Sequence, residues 1–394
     1  IIYNIFIIDN EKQRRIMNNI IYFDNSATTR LSDEVFESMK EFLINNFSNP
    51  SSIYEISQKS KVAIEKSREN LANYINANKN EVFFTSSGTE SDNWAIIGST
   101  IRKKLQSAHI ITTAFEHSAV LETCKFLENF GFDVTYINPN SEGFISYKDV
   151  VDAIRDDTVF VSVMLVNNEV GTIQDIEKIC KAVKEKNEKI IFHTDAVQAL
   201  SELNIDVKKL KVDLMSFSAH KIHGPKGVGA LYIKQGTDIE NFILGGSQER
   251  KRRAGTENVA GIVGFSKAID ILRSKILENV QKRKELKEYL LLKLTENFKN
   301  FKINASLENR HSGNLNISFP GVDKEMIIMS MDFNGICISS GSACSSGSLE
   351  NSHVLSSMKI DLDLQDSAIR ISLGEENTKN DIDKFINALK DIVS

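Results

Sequence analysis

Val159-Phe160-Val161-Ser162-Val163-Met164-Leu165-Val166 is a near-continuous apolar run of strand length. It has the texture of a strand buried on both faces, since a strand with one face on water would alternate. An amphipathic helix is expected next, over Ile176 to Lys186, and then a further apolar strand, Lys189-Ile190-Ile191-Phe192-His193. Strand, helix and strand in this order imply a crossover connection and a parallel pairing. The alternation continues outward in both directions. Val82-Phe83-Phe84-Thr85 reads as a strand and Glu90 to Leu105 as a helix. His109-Ile110-Ile111-Thr112-Thr113 is a strand, Ser118 to Asn129 a helix, and Val134-Thr135-Tyr136-Ile137 a strand. Val212-Asp213-Leu214-Met215-Ser216-Phe217 is another apolar run. The fold class is therefore α/β, with a mostly parallel sheet covered by helices.

Ligands of such sheets bind beyond the carboxyl ends of the strands. Polar residues gather at those ends. Thr85-Ser86-Ser87-Gly88-Thr89-Glu90-Ser91 joins strand to helix and reads as a phosphate cradle: glycine allows close backbone approach, and free N–H groups at a helix start favour an anion. An ordinary capped helix start is the plainer reading of the same residues. Glu116-His117 follows the next strand, and Asn167-Asn168-Glu169-Val170-Gly171 another. His193-Thr194-Asp195-Ala196-Val197-Gln198 places a carboxylate where it could pair with a cationic ring nitrogen. Ser218-Ala219-His220-Lys221 ends the 212–217 run. A lysine there is poor packing material, and once neutral it is a nucleophile toward carbonyls.

After about Gly264 the texture changes. A long charged helix is expected over Ser266 to Asn297, with Ile269, Leu272, Ile276 and Val280 at helical spacing. Leu315-Asn316-Ile317-Ser318-Phe319, a helix from Asp323 to Met331, and Ala368-Ile369-Arg370-Ile371-Ser372 make a smaller α+β region. Near its middle stands Ser339-Ser340-Gly341-Ser342-Ala343-Cys344-Ser345-Ser346-Gly347-Ser348. That composition suits a mobile arm rather than a core, and it marks Cys344 as the reactive thiol.

The chain has 394 residues, room for two domains, with 41% hydrophobic and 26% charged residues, as in an ordinary globular protein. A net charge of -5 gives no reason to expect a nucleic-acid partner. Cys124, Cys180, Cys337 and Cys344 form no CxxC pair, which argues against a disulfide framework or structural zinc and for a reducing, cytoplasmic setting. His220 and His223 lack a well-spaced third ligand, so no metal is expected. No apolar run is long enough to cross a bilayer. Residues 1–16 precede Met17 and are expected to be a non-native or disordered extension.

A phosphate cradle, a ring-pairing aspartate, a stacking histidine and a Schiff-base lysine together describe a site for pyridoxal 5′-phosphate. With these motifs in place, the chain resembles the cysteine desulfurases of the NifS/IscS group, class V aminotransferase-like enzymes of fold type I. The resemblance runs from Tyr22-Phe23-Asp24-Asn25-Ser26-Ala27-Thr28-Thr29 to Ile369-Arg370-Ile371-Ser372-Leu373-Gly374. It includes Asn49-Pro50-Ser51-Ser52, His220-Lys221-Ile222-His223-Gly224-Pro225-Lys226-Gly227 and Arg252-Arg253-Ala254-Gly255-Thr256-Glu257-Asn258. It implies a large cofactor domain over 33–265 and a small domain, from 17–32 and 266–394, that carries the Cys344 loop.

The resemblance also implies roles. Lys221 would hold the cofactor, and Gly88, Thr89, Ser218 and His220 its phosphate. Thr256 would reach the phosphate of a neighbouring subunit in a homodimer. His117 would stack on the ring, Asp195 would pair with its nitrogen, and Asn168 and Gln198 would contact its phenolic side. Arg370 would grip the carboxylate of L-cysteine, with Asn25 assisting. Cys344 would take the sulfur as a persulfide and deliver it to an iron-sulfur scaffold protein or another acceptor. Ser26 stands where many relatives have asparagine, and Glu375-Glu376 where a basic residue is frequent. The rival readings are selenocysteine lyase or a related β-eliminating activity, and a non-catalytic sulfur-carrier module.

Overall fold

A computed structural model describes residues 20–101, 108–341 and 351–393. Its centre is a seven-stranded sheet. In chain order the strands are β2 (Val82–Thr85), β3 (His109–Thr113), β4 (Asp133–Ile137), β5 (Thr158–Ser162), β6 (Ile191–Asp195), β7 (Leu214–Ser218) and β8 (Gly229–Ile233), with β1 (Ile21–Tyr22) standing outside it. Across the sheet the order is β2-β8-β7-β6-β5-β3-β4. The pairings β4–β3, β3–β5, β5–β6 and β6–β7 are parallel, and β8 runs antiparallel to both β7 and β2. So the sheet is mixed, yet β2 points the same way as β3, β5, β6 and β7. All five release the chain at one edge, and that common edge positions the site.

Gly229 begins β8 at this edge. A Cβ there would lie 2.6 Å from the backbone carbon of Ser87 and 2.7 Å from the Phe217 carbonyl oxygen, so only glycine lets the exits of β2 and β7 close up. The 159–166 run does not stay in the ladder throughout. β5 ends at Ser162, and Val166 then pairs with Ile173 as an isolated antiparallel bridge. The remaining apolar residues, Val163 to Val166, are buried all the same. Burial set the pattern there, not strand pairing.

A second, three-stranded sheet holds β10 (Asn314–Ser318) between β9 (Lys302–Ile303) and β12 (Ala368–Ser372), all antiparallel. β1 pairs in parallel with β11 (Ile336–Cys337). This part has its own hydrophobic cluster, which includes Phe23, Leu290, Leu315, Ile317, Ile369 and Phe385.

The long helix starts earlier than the expected Ser266. It covers Val259–Asn297, capped by the Asn258 side chain, which accepts from Gly261 N–H at 3.0 Å. It gives Ile262, Phe265, Ile269 and Leu272 to the cluster around the large sheet, and Leu286, Leu290 and Leu294 to the other. Among the described residues no helix is long and apolar enough to cross a membrane.

Candidate active site

The shared strand edge encloses a cavity of about 190 Å³. Gly88, Thr89, His117, Asn168, Asp195, Gln198, Ser218, His220, Lys221 and Arg370 all line it. Asn25 lies outside it, in an adjoining cleft of about 520 Å³ that shares Ser26, Gln198 and Lys221 with it. Thr256 lines neither and is exposed. Cys344 is outside the described residues.

The 88–100 helix opens on the cavity. Ser87 Oγ caps it by accepting from Glu90 N–H at 3.1 Å. The N–H groups of Gly88 and Thr89 face no intrahelical carbonyl, which leaves them to an anion. Two ion pairs brace this corner. Arg253 grips Glu90 with two bonds of 2.8 and 2.9 Å, and buried Arg68 grips Glu249 at 2.6 and 2.9 Å. Both fasten the segment that carries Thr256.

His117 caps the 118–129 helix, its Nδ1 accepting from Ala119 N–H at 3.1 Å. Burial, with Lys221 and His353 nearby, brings its pKa down to about 4. The ring is therefore neutral near pH 7, with its proton on Nε2. Burial and the neighbouring Lys221 also bring His220 down to about 4, and its Nδ1 lies 3.1 Å from Thr28 Oγ1. Lys221 Nζ donates to the carbonyls of Ser26 and Ala27 at 2.6 and 2.8 Å. The turn after β1 thus holds the lysine at the cavity wall.

Asp195 ends β6, with Oδ1 accepting from Val197 N–H at 2.8 Å. Burial raises its pKa, against the pull of that N–H and of Lys221. Two further buried carboxyls lie nearby: Asp92, not singled out from the sequence, and Glu116, noted there only as the neighbour of His117. Asp92 lines the cavity and is raised well above the usual range by burial and by Asp195. Its signal was present, because it stands four residues after Gly88 on the same helix face. Glu116 is pushed up to about 8 by burial, and its Oε1 accepts from Thr113 Oγ1 and Met164 N–H at 2.8 and 2.7 Å. Both carboxyls favour the protonated state, so Asp195 is the one best placed to carry negative charge.

Arg370 reaches the cavity from β12, in the other sheet. Its Nη2 donates to Asp24 Oδ1 at 2.6 Å and its Nη1 to the Asn168 carbonyl at 3.0 Å. Glu375 is built into the wall of the adjoining cleft. It pairs with buried Arg283 and lies 3.0 Å from His223 Nε2. His223 and Arg283 outweigh its burial and hold its pKa down to about 2.

The Aminotransferase class-V family model matches residues 21–385. The chain belongs to that family, among its NifS/IscS-like cysteine desulfurases. It is 48% identical over 379 residues to the cysteine desulfurase IscS of Clostridium botulinum, covering 96% of this chain and 95% of that one. A solved NifS-like protein aligns at a TM-score of 0.90 with 38% identity, covering 95% and 99% of the two chains. SspA, solved in complex with cysteine, aligns at 0.81 with 35% identity, covering 91% and 100%.

Membership of the class V family implies pyridoxal 5′-phosphate. The residues present fit that group. The cavity offers a helix start for a phosphate, a buried carboxylate for a pyridinium and a lysine at the wall. The side-chain oxygen of Asn168 is buried beside it without a partner among the described residues.

Proposed function

We propose that Lys221, Asp195, His117, Arg370 and Cys344 carry the cysteine desulfurase reaction in this chain, which converts L-cysteine to L-alanine and passes on the sulfur. The observation that carries this reading is that the first four line one small cavity. Bound pyridoxal phosphate would supply an electron sink for a carbanion at the substrate α-carbon.

Lys221 would hold the cofactor, and its Nζ would take the α-proton of the substrate. Asp195 would pair with the ring nitrogen and favour its protonated form by opposite charge. Neutral His117 would stack on the ring, and Asn168 and Gln198 would contact its phenolic side. Gly88, Thr89, Ser218 and His220 would bind the phosphate. Thr256 would serve the same group in the second copy of a homodimer, in keeping with its exposure and its absence from the lining of its own cavity. Arg370 binds the substrate carboxylate as a fork, a geometry lysine lacks, and Asn25 assists from the adjoining cleft.

The Cys344 thiolate attacks the substrate sulfur. An S–S bond forms, the substrate C–S bond breaks, and its electron pair remains with the three-carbon unit, which takes up protons and leaves as alanine. The persulfide then passes its outer sulfur to an iron-sulfur scaffold protein or another thiol acceptor in the cytoplasm. The other thiols are poor candidates: burial pushes Cys180 up to about 12, and Cys124 and Cys337 are also raised. Residues 33–265 would form the large domain, and 17–32 with 266–394 the small one.

Mass spectrometry after a single turnover tests the reading. The added sulfur is expected on the Cys344 peptide, and Cys344→Ser should keep the cofactor spectrum while losing sulfide release. Sulfur on another cysteine would refute it.

A further inference from the structure

Asp24 has no part in the chemistry above, yet it is joined to the residue assigned to the substrate carboxylate. The Arg370 side chain is 1% exposed, and among the described residues Asp24 is the only carboxylate within ion-pair distance of it. A buried guanidinium without a counter-charge is costly, so the pair accounts for how Arg370 rests inside the protein. Arg370 Nε is buried with no partner among the described residues, and Nη1 is on the Asn168 carbonyl.

A guanidinium can grip a carboxylate with two parallel N–H groups along two of its edges, Nε with Nη2 or Nη1 with Nη2. Both edges use Nη2, and Nη2 is the atom that Asp24 engages. Asp24 takes one of the two N–H groups of Nη2, so an incoming carboxylate meets an arginine whose charge is already paired and one of whose edges is engaged. Two carboxylates on one buried guanidinium repel each other. The Asp24 side chain is 16% exposed and has a way toward water that Arg370 lacks.

We propose that Asp24 is the resting counter-ion of Arg370, displaced by the α-carboxylate of the substrate, and that it thereby sets the affinity for that carboxylate. The proposal rests on the assignment of Arg370 given above. It makes Asp24 a positioning residue that competes with substrate. A plain structural brace would act with the opposite sign, because its loss would misplace Arg370 and weaken binding.

L-Alanine, which has the carboxylate but no sulfur, can be titrated into the holoenzyme. Asp24→Asn should bind it at least about fivefold more tightly than the parent, since binding now supplies the missing counter-charge. The Tm of this variant should be lowered without alanine and recover more than the parent's when alanine is added. Asp24→Glu keeps the charge and should restore parent-like affinity. Unchanged or weaker binding in Asp24→Asn, with Arg370→Gln abolishing it, overturns the counter-ion role and leaves the Arg370 assignment standing. Undiminished binding in Arg370→Gln removes that assignment and the proposal together. Should Asp24→Asn not fold, a crystal structure of the unsubstituted holoenzyme with L-alanine decides. Separation of Asp24 Oδ1 from Arg370 Nη2 beyond about 3.5 Å supports displacement, and retention of the contact overturns it.

Discussion

The seven-stranded sheet and the three-stranded sheet contribute to the cavity in different ways. The large sheet places residues from five strand exits, and these are tied into the core. His193 bridges Ser162 Oγ and Ser216 Oγ at 2.9 Å each, two residues before Asp195. The small sheet contributes Arg370, fixed by one ion pair and one carbonyl. The groups that would face a resident cofactor thus come from one packed body. Arg370, which would grip a transient substrate, comes from the other sheet. Substitutions on the first side should damage chemistry, and those on the second should damage affinity.

The sharpest way to break this contrast is Lys221→Ala. It should lower turnover by roughly 10³-fold or more, since both the cofactor attachment and the base are lost. Borohydride reduction of the parent should fix the cofactor to the Lys221 peptide. Labelling at Lys226 or Lys234 instead would undo the assignment. Next in size, Asp195→Ala should slow α-proton exchange by about 10²- to 10³-fold, measured by loss of deuterium from labelled substrate. Exchange at the parent rate would remove Asp195 from the ring nitrogen.

Arg370→Lys should raise KM for cysteine about 10- to 100-fold with kcat within a fewfold, because a point charge replaces a fork. A fall in kcat at constant KM would erase the distinction between the two sides.

The smallest effect concerns Glu375, in the wall of the cleft beside the cavity. Glu375 is held to about 2 when folded, below its ordinary 4.5, so it stabilises the fold above the ordinary value. That contribution is lost as pH falls from about 4.5 through about 2. Glu375→Gln should lower stability at pH 7 by on the order of 2 kcal/mol, and the gap should narrow over that acid window. Denaturant melts at pH 7 and pH 3 would check it, and a gap constant with pH would exclude the charge as its source.

The strand exits were legible in the sequence because a polar residue directly after an apolar run is a local pattern. His117, Asp195 and Lys221 could be found that way. The reversed direction of β8 could not, since a short apolar strand reads the same both ways. The true start of the long helix was hidden by glycines that look like breakers. Gly264 is there for close packing: a Cβ on it would sit 2.7 Å from Met39 Sδ and 3.1 Å from Pro225 Cδ. Asp24 with Arg370, 346 residues apart, left no local mark at all. Neither did Glu375 with Arg283, where only the unexpected sign of the charge hinted at a partner.

The parallel pairing of Ile21 with Ile336 and of Tyr22 with Cys337 has a consequence for the order of synthesis. One of the first stretches described finds its ladder only after more than three hundred further residues have been made. The large sheet waits too, because its core includes Val354, Leu355 and Met358. A nascent chain would carry Ile21 and Phe23 without their final cover until Ile336 and Ile369 had been made. Folding of this region would then close late, and a ribosome-bound chaperone would have a long interval in which to act.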